Sequence, residues 1–393
     1  MEYVVEEYFS GIILENENLL KMVLRYFGIS SKNITDSYLL LLSDRRFDSF
    51  KKSIITFIHH LKEMGLDIHH LYTLLSLEKI YFHRFFKKQT LFLVLVIQVY
   101  QFYMEELSSN SSIDFSDMII LASKYVKGAE FLKKYRYIII DEYQDTSDMK
   151  LLLIKNILNM SDANLLAVGD DFQSIYRFTG CNLNNFLDFS KHFVNAKVLK
   201  LTNTYRNSQE LISLAGKFIM KNNHQIKKEL KSNKQIKDPI EIYFTRNKKA
   251  SLKKILDKLE KGCVFILGRN NKDILPFLDN ELVINEDKII YSKRKELDIT
   301  FLTVHKSKGL EADNTIIVNV IDDILGFPSQ LQEEKYLHLL SRDEVLFPFD
   351  EERRLFYVAL TRTKNKCFML SNPNNPSIFV RELMHEKILV HIE

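Results

Sequence analysis

The stretch IIIDEYQDTS, residues 138–147, places two adjacent carboxylates directly after a run of isoleucines. The apolar, β-branched run at 137–140 is typical of a buried strand. Asp141 and Glu142 follow it, and ligands of parallel sheets bind beyond the carboxyl ends of the strands. Two carboxylates at such a strand end can hold a Mg²⁺–nucleotide complex and activate an attacking water. Acidic residues often follow strands for purely structural reasons, so this stretch alone leaves both interpretations open.

Outward from this stretch, strand patterns alternate with helical ones. Short apolar runs predict strands at 137–140, 165–168, 198–201, 240–244, 264–267, 299–304, 315–320 and 367–370. Residues 114–126 predict a helix with Asp114 as an N-cap. Residues before 113 carry Leu, Ile, Phe and Tyr at helical spacing, which predicts several packed helices. The alternation predicts an α/β fold with parallel sheets that carry helices on both faces.

Length and composition exclude several protein classes. The chain has 393 residues, of which 46% are hydrophobic and 27% charged, with a formal net charge of +4. These values describe a globular protein of two or three domains and exclude disordered, collagenous and coiled-coil chains. The three cysteines are widely separated and form neither a disulfide framework nor a CxxC metal site. This pattern favours a reducing compartment and therefore a cytoplasmic protein.

Membrane and secretion signals do not fit the sequence. The opening residues MEYVVEE are acidic, whereas a secretion signal begins with positive charge. The most apolar run, 91–97, is far shorter than the roughly 20 residues that span a bilayer. We therefore expect a buried helix there and no membrane partner.

One segment is strongly basic. Between residues 217 and 237, one acid, Glu229, stands among the lysines Lys217, Lys221, Lys227, Lys228, Lys231, Lys234 and Lys237. Such a run is most often a solvated face, although it would also suit a polyanion.

Further candidate residues follow the other predicted strands. In AVGDDFQSIYRFTG, residues 167–180, Gln173 could bond a terminal phosphate or its attacking water. Tyr176 and Phe178 flank an arginine there, which is the pattern of a base-stacking platform, although both rings could equally be core residues.

Two more stretches carry arginines. LTNTYRN, residues 201–207, presents Tyr205 and Arg206, which could stack on a purine and contact phosphate. Taken alone, such an arginine is more often part of a surface ion pair. The segment 351–362 predicts an amphipathic helix whose last turn exposes Arg362, placed as an arginine finger would be.

Taken in order, these stretches resemble motifs II to VI of the UvrD/Rep-type superfamily 1 DNA helicases. The matching stretches are IIIDEYQDTS, AVGDDFQSIYRFTG, LTNTYRN, FLTVHKSKGLEAD and EERRLFYVALTRTK, and SSIDFSDMIILASKYV resembles the helix before motif II. The spacing is most similar to the helicase IV branch. The resemblance implies two RecA-like lobes: a helical insertion at 1–112, the rest of lobe 1A at 113–200, and lobe 2A at 201–393 without a large 2B insertion.

The resemblance also implies catalytic roles, with ATP and Mg²⁺ as cofactors. Asp141 would associate with Mg²⁺, largely through water, and Glu142 would be the catalytic base. Gln173 would sense the γ-phosphate, and Arg206 and Arg362 would contact it. Since hydrolysis depends on positioning and charge neutralisation, arginines supplied by one lobe to a nucleotide on the other would tie catalysis to lobe closure.

Other matched positions imply binding roles. Tyr205 would stack on adenine, and Glu311 and Gly309 belong to the same nucleotide-binding set. The track for single-stranded or partly duplex DNA would be lined by Tyr176, Phe178, Thr303 and His305. The implied activity is that of a 3′-to-5′ DNA helicase or translocase.

One family motif is missing from this sequence. None of the 11 glycines begins a GxxxxGK[ST] phosphate loop, and no Gly-Lys-Ser/Thr triplet occurs. Without that loop the β- and γ-phosphates lose their main cradle. We therefore expect impaired ATP turnover by this chain alone, with a separate N-terminal helicase fragment carrying motif I as a candidate partner. The alternative is a non-catalytic DNA-binding or regulatory module.

Overall fold

The computed structural model describes residues 1–15, 17–29, 33–81, 87–330, 336–340, 349–386 and 388–393. The chain forms two compact units. Unit 1 comprises Met1–Gly169, Tyr176–Asn185 and Gln332–Glu344, and unit 2 comprises Asp170–Ile175, Phe186–Leu331 and Val345–Glu393. The six residues after Gly169 therefore belong to unit 2, although unit 1 precedes and follows them in the sequence. The domain boundaries at 112 and 200 stay a prediction.

Unit 1 begins with helices and continues with a small parallel sheet. Its elements are α1 (Glu2–Glu15), α2 (Glu17–Phe27), α3 (Ile34–Ser43), α4 (Arg45–Glu63), α5 (Ile68–Tyr81), α6 (Lys87–Ser109), α7 (Phe115–Tyr125), β1 (Tyr137–Ile140), α8 (Asp148–Met160) and β2 (Asn164–Ala167). Helix α9 (Leu183–Leu187) spans the boundary between the two units, and α10 (Phe189–His192) follows it.

The predicted helical region is a cluster with an aromatic core. Phe27 meets Phe47 and Phe50 edge to face at centroid distances of 5.7 and 5.6 Å, and Phe50 meets Phe92 in the same way at 5.8 Å. Aromatic rings prefer this arrangement. Helix α6 runs through this core, and residues 91–97 are mostly buried, as the sequence predicted. Within the described residues, Lys88–Ser109 is long and apolar enough to cross a membrane by length and composition. Half of its apolar portion is buried inside the protein.

Local sequence explains where helix α7 begins. The Asp114 side chain accepts from the backbone N–H of Asp117, and the Asp117 side chain accepts from the backbone of Asp114. This reciprocal capping box satisfies amides that the helix start leaves unbonded. The predicted helix at 114–126 is thereby confirmed.

Unit 2 is built around an eight-stranded sheet. Its elements are α11 (Gln209–Ile219), β3 (Ile240–Phe244), α12 (Lys248–Lys258), β4 (Gly262–Gly268), β5 (Leu282–Asn285), β6 (Lys288–Tyr291), β7 (Leu297–Thr303), β8 (Asn314–Ile317), α13 (Asp350–Thr361), β9 (Cys367–Ser371), α14 (Ile378–Leu383) and β10 (Leu389–Ile392). The strand order is β10-β3-β9-β8-β4-β7-β6-β5.

The pairing of these strands explains their composition. From β10 to β7 the neighbours are parallel, and all five residues of β3 are buried. Parallel strands covered on both faces are continuously apolar rather than alternating, which is why the sequence marked them clearly. The chain therefore has the predicted α/β class, with RecA-like parallel sheets and an N-terminal helical region.

Two details differ from the sequence prediction. The run at 198–201 is not a strand: Val198, Leu199 and Leu201 are exposed, so their apolarity reflects no sheet face. Strands β5, β6 and β10 were not predicted. Of these, β5 and β6 form an antiparallel hairpin at the sheet edge, joined by two residues of which Glu286 has a φ of +55°.

Candidate functional site

The carboxylate pair lies at the carboxyl end of β1, as the sequence predicted for a strand end. Asp141 and Glu142 are both exposed. Glu142 has a φ of +50°, a conformation that is uncommon for a residue with a side chain. Its backbone N–H donates to Asp141 Oδ1 at 2.8 Å, and its carboxylate accepts from the buried amide of Gln144. The turn therefore holds two carboxylates side by side and open to solvent.

Unit 1 brings an aromatic turn close to these carboxylates. The rings of Tyr176 and Phe178 have centroids 5.9 Å apart in an edge-to-face arrangement. Burial raises the pKa of Tyr176, and the negative charges of Asp145 and Glu142 raise it further. Phe178 is 43% exposed, so the turn offers a ring face on which a base could stack.

Helix α4 supports this turn from inside unit 1. Gly180 has a φ of +83°, and a Cβ atom built on it would lie 2.5 Å from Glu63 Cβ. His60 is buried, forms a hydrogen bond with the backbone of Phe178, and has its pKa lowered to about 4, mainly by burial. The close approach means that α4 fixes the path of residues 176–180.

In unit 2, Gln173 and Arg362 are in contact. Arg362 Nη2 donates to Gln173 Oε1 at 3.2 Å, although the two residues are 189 positions apart. Gln173 also donates through Nε2 to Asp170 Oδ2 at 2.7 Å. The structure thus joins two residues that the sequence assigned to the same phosphate.

Arg362 is not exposed, which corrects the prediction. It is 1% exposed, because its guanidinium also donates to the carbonyl oxygens of Val358 and Leu310 at 3.1 and 3.3 Å. The amphipathic pattern of α13 located the residue at the helix end. It could not reveal that residues 170–175 and 310 cover that end.

The other predicted arginine belongs to an ion-pair group. Arg206 Nε donates to Glu311 Oε2 at 2.8 Å, and Lys364 Nζ lies 3.0 Å from Glu311 Oε1. The hydrogen bonds from Arg206 and Lys364 lower the pKa of Glu311. Tyr205 is 87% exposed, so its ring is available for stacking.

The end of β7 presents the remaining candidates. Thr303 Oγ1 accepts weakly from the backbone of Lys306 at 3.4 Å. Burial lowers the pKa of His305 to about 4, and the charge of Arg269 lowers it further. Gly309 has a φ of +81° with open space around it, which glycine adopts without strain. Thr303 ends β7, and His305 and Gly309 lie on the turn that follows it.

Several lysines of the basic segment 217–237, which we call the lysine run, form contacts within unit 2. Lys217 pairs with Glu386 at 2.8 Å and Lys221 with Glu382 at 3.0 Å. Lys234 donates to the carbonyl oxygen of Lys364 at 2.7 Å. The paired lysines are thus part of the unit 2 framework.

The surroundings of Asp141 suit a Mg²⁺–nucleotide complex rather than a metal ion held by protein side chains alone. Across the described part of the chain, no group of three or more His, Cys, Asp or Glu side chains is placed to hold a metal ion. Mg²⁺ commonly uses one or two carboxylates together with water and phosphate oxygens. The exposed Asp141 beside Glu142 is compatible with that mode of binding.

Sequence reasoning assigned no role to two residues that touch this site. In unit 2, Asp170 accepts a hydrogen bond from Gln173, and Lys228 pairs with Asp170. Asp170 lies within AVGDDFQSIYRFTG, and Lys228 lies within the lysine run at 217–237. The pairing between them could not be read from sequence, because 58 positions separate them.

Comparison with known proteins gives two family matches along the chain. Residues 13–194 match the UvrD/REP helicase N-terminal domain, and residues 269–374 match the UvrD-like helicase C-terminal domain. DNA helicase IV of Escherichia coli (strain K12) is 32% identical over 283 residues, which cover 70% of this chain and 40% of that protein. ATP-dependent DNA helicase PcrA of Leuconostoc citreum is 33% identical over 171 residues, covering 42% of this chain and 23% of that protein.

A third relative gives the same result over a shorter length. ATP-dependent DNA helicase Rep of Buchnera aphidicola subsp. Schizaphis graminum is 32% identical over 185 residues, covering 46% of this chain and 27% of that protein. The chain therefore spans less than half the length of each of these relatives. The two domain matches and the ordered motifs show that the chain belongs to the UvrD/Rep-type family of DNA helicases.

Proposed function

We propose that this chain is part of an ATP-dependent DNA helicase or translocase of the cytoplasm. It binds single-stranded or partly duplex DNA, moves 3′ to 5′, and couples ATP hydrolysis to strand separation. The observation that carries the proposal is the hydrogen bond between Arg362 and Gln173. It joins two residues that the family resemblance assigns to the γ-phosphate from distant parts of the sequence.

In this proposal the charged residues divide the work of phosphoryl transfer. Glu142 accepts the proton of the attacking water, and Asp141 helps to hold Mg²⁺, which neutralises phosphate charge when bound. Arg206 and Arg362 offset the charge that develops on the γ-phosphate, and Gln173 responds to its presence. Positioning and charge stabilisation are the main contributions that proteins make to this reaction.

The binding residues divide into a nucleotide group and a DNA group. Tyr205 stacks on the adenine ring, with Glu311 and Gly309 near the ribose and its phosphates. Tyr176, Phe178, Thr303 and His305 contact single-stranded DNA. In domain terms, we propose a 1B-like insertion at 1–112, lobe 1A at 113–200 and lobe 2A at 201–393.

The exposed face of the β1–β2 sheet supports a further part of the proposal. Tyr137 and Ile139 are each 69% exposed and Leu166 is 56% exposed, and the strand register puts them on one face. Parallel sheets in proteins are covered on both faces. We propose that a polypeptide segment carrying the missing GxxxxGK[ST] loop covers this face and supplies the phosphate cradle.

This docking proposal has its own test. A purified segment carrying the phosphate loop should co-elute with the chain in size-exclusion chromatography, and the pair Ile139→Glu and Leu166→Glu should abolish co-elution. Self-association of the chain through this face, without binding of the segment, would contradict the chosen occupant.

The activity is tested by ATP hydrolysis with and without oligo(dT). We expect weak turnover by the chain alone and DNA-stimulated turnover after addition of the phosphate-loop segment. Glu142→Gln should reduce that turnover at least about 100-fold, as loss of a general base does. The matched control Glu130→Gln, at an exposed carboxylate, should leave it unchanged. Stimulated turnover that survives Glu142→Gln would overturn the proposed mechanism.

The absence of the phosphate loop from the sequence favours a second candidate, a non-catalytic DNA-binding or regulatory module. That candidate predicts DNA affinity that is indifferent to ATP and to Glu142→Gln. Measurement of oligo(dT) binding by both forms of the chain, with and without ATP and the added segment, separates the two.

A further inference from the structure

Lys228 contacts the segment that carries Gln173. Its Nζ donates to Asp170 and, at 2.8 Å, to Asp171. The same nitrogen lies 3.8 Å from the ring centroid of Phe172. The Lys228 side chain is only 13% exposed, and a buried ammonium group is tolerated only when it is paired. The ammonium group of Lys228 is therefore bound by residues 170–172.

Asp170 connects Lys228 to Gln173. One carboxylate oxygen accepts from Lys228 and from the backbone N–H of Phe172. The other oxygen accepts from Gln173 Nε2 at 2.7 Å. An ionised carboxylate can only accept hydrogen bonds, so the amide nitrogen of Gln173 must face Asp170.

This orientation determines what the other end of the amide can do. The Gln173 oxygen faces Arg362, whose guanidinium can only donate. A reversed amide would place two acceptors together at Asp170 and two donors together at Arg362. The amide therefore has one favourable orientation as long as Asp170 keeps its position and charge.

We propose that Lys228 is a positioning residue for Gln173, which acts through Asp170 to fix the direction in which the side-chain amide points. The inference rests on the proposed function in that Gln173 is the phosphate-sensing residue there. It adds a residue from the lysine run to that site. Without the ammonium group, the adjacent carboxylates of Asp170 and Asp171 repel each other and Asp170 turns away.

Other contacts hold the backbone of the segment independently of Lys228. The backbone N–H of Ile226 donates to Asp171 Oδ2 at 2.8 Å, and Arg354 Nε donates to the carbonyl oxygen of Ser174 at 2.7 Å. Phe172 packs edge to face on Tyr357 at 5.2 Å. Removal of the lysine charge should therefore release the Gln173 amide while the segment stays in place.

The test follows the Gln173 side-chain amide by NMR in the full chain labelled with [¹⁵N]glutamine. Its signals are identified by their loss in Gln173→Glu. In Lys228→Met we expect the amide protons to exchange with solvent about tenfold faster or more, since a charge-assisted hydrogen bond is weakened. Lys228→Arg should restore most of the protection. Lys221→Met, which removes the exposed lysine paired with Glu382, should leave the signals unchanged.

Unchanged exchange and chemical shifts of the Gln173 amide in a folded Lys228→Met chain would overturn the proposal. Should that variant fail to fold, Asp170→Asn provides the decision, because it keeps the side-chain shape and removes the acceptor charge. Faster exchange in Asp170→Asn supports the proposal, and unchanged exchange refutes it. The readout needs no nucleotide, so it stands or falls separately from the ATPase measurements.

Discussion

The side-chain amide of Asn207 donates to the carbonyl oxygens of Thr361 and Thr363, at 3.2 and 2.7 Å. Asn207 follows Arg206 directly in sequence, and Thr361 and Thr363 flank Arg362. One buried amide therefore ties together the backbone segments that carry the two arginines. Neither arginine needs to contact the other for their spacing to be fixed.

Asn207→Ala should lower the free energy of unfolding by about 1–3 kcal/mol, because it leaves buried carbonyl groups without their donor. Urea unfolding followed by circular dichroism measures the change. Asn280→Ala, at an exposed position of the same unit, serves as the control and should change stability by less than about 0.5 kcal/mol. Equal effects of the two substitutions would contradict the assigned role of the amide.

Gly180→Ala should destabilise unit 1 by more than about 1 kcal/mol. The added Cβ meets Glu63 at 2.5 Å, and the φ of +83° strains any side chain. The matched control is Gly216→Ala in α11, where nothing lies within 4 Å of the new Cβ; it should stabilise by about 0.5–1 kcal/mol. Denaturant midpoints of the two variants should move in opposite directions, and a shared direction would speak against the close approach.

Lys62 is a buried lysine with two acidic partners. Its Nζ lies 2.7 Å from both Asp114 and Asp117, and its side chain is 2% exposed. Lys62→Met should cost up to about 3–5 kcal/mol at neutral pH, because it leaves two partly buried carboxylates without their buried cation. Lys21→Met removes an exposed pair in which both side chains are 59% accessible, and it should cost less than about 1 kcal/mol. A similar loss in both variants would show that burial does not matter here.

The Lys62 contribution should also depend on pH. Burial opposes ionisation of Asp114, but hydrogen bonds from Lys62, the Asp117 backbone and Tyr103 leave its pKa below the ordinary value. A carboxyl group with a lowered folded-state pKa stabilises above its unfolded pKa of about 3.9 and loses this effect as the pH falls. The stability gap between parent and Lys62→Met, measured by urea unfolding, should therefore narrow as the pH falls below about 4.

His60 should make unit 1 sensitive to mild acid. Its folded-state pKa is about 4 because of burial, and Arg177 and His59 add to the effect while Glu63 opposes it. The unfolded side chain binds a proton near pH 6.5, so stability is lost as the pH falls from about 6.5 to 4, by up to about 3 kcal/mol. His60→Gln should flatten this part of the stability curve, whereas the exposed His69→Gln should not. An unchanged slope in His60→Gln would refute the prediction.

Phe178→Ala should weaken binding of single-stranded DNA. A stacked base contributes about 1–3 kcal/mol to affinity, so we expect a loss of about fivefold or more in fluorescence anisotropy with labelled oligo(dT). Phe115→Ala removes another ring of unit 1, which is 86% exposed, and should leave affinity unchanged. If both variants bind alike, the turn at 176–180 is not part of the DNA track.

The parts of the fold that the sequence predicted share a physical feature. Strands such as β3 and β9 are buried on both faces, so most of their residues are apolar whatever their partners, and Glu241 and Ser371 are the buried polar exceptions. The hairpin of β5 and β6 was not predicted from the sequence. Each of its strands has only four residues, of which some are exposed, so the strand forms through pairing with its neighbours rather than through a clear apolar run. The run at 198–201 shows the opposite error: apolar residues without a partner remain exposed.

The same division applies to the candidate site. The sequence by itself determined the α/β class, the family and the order of the motifs, because these depend on residue type and spacing along the chain. Only the tertiary structure decided that Arg362 is buried and that it donates to Gln173. The same holds for the contact of Asp170 with Gln173 and of Lys228 with Asp170. Burial and pairing depend on contacts between segments that are distant in the sequence, and the spacing of residues along the chain does not specify those contacts.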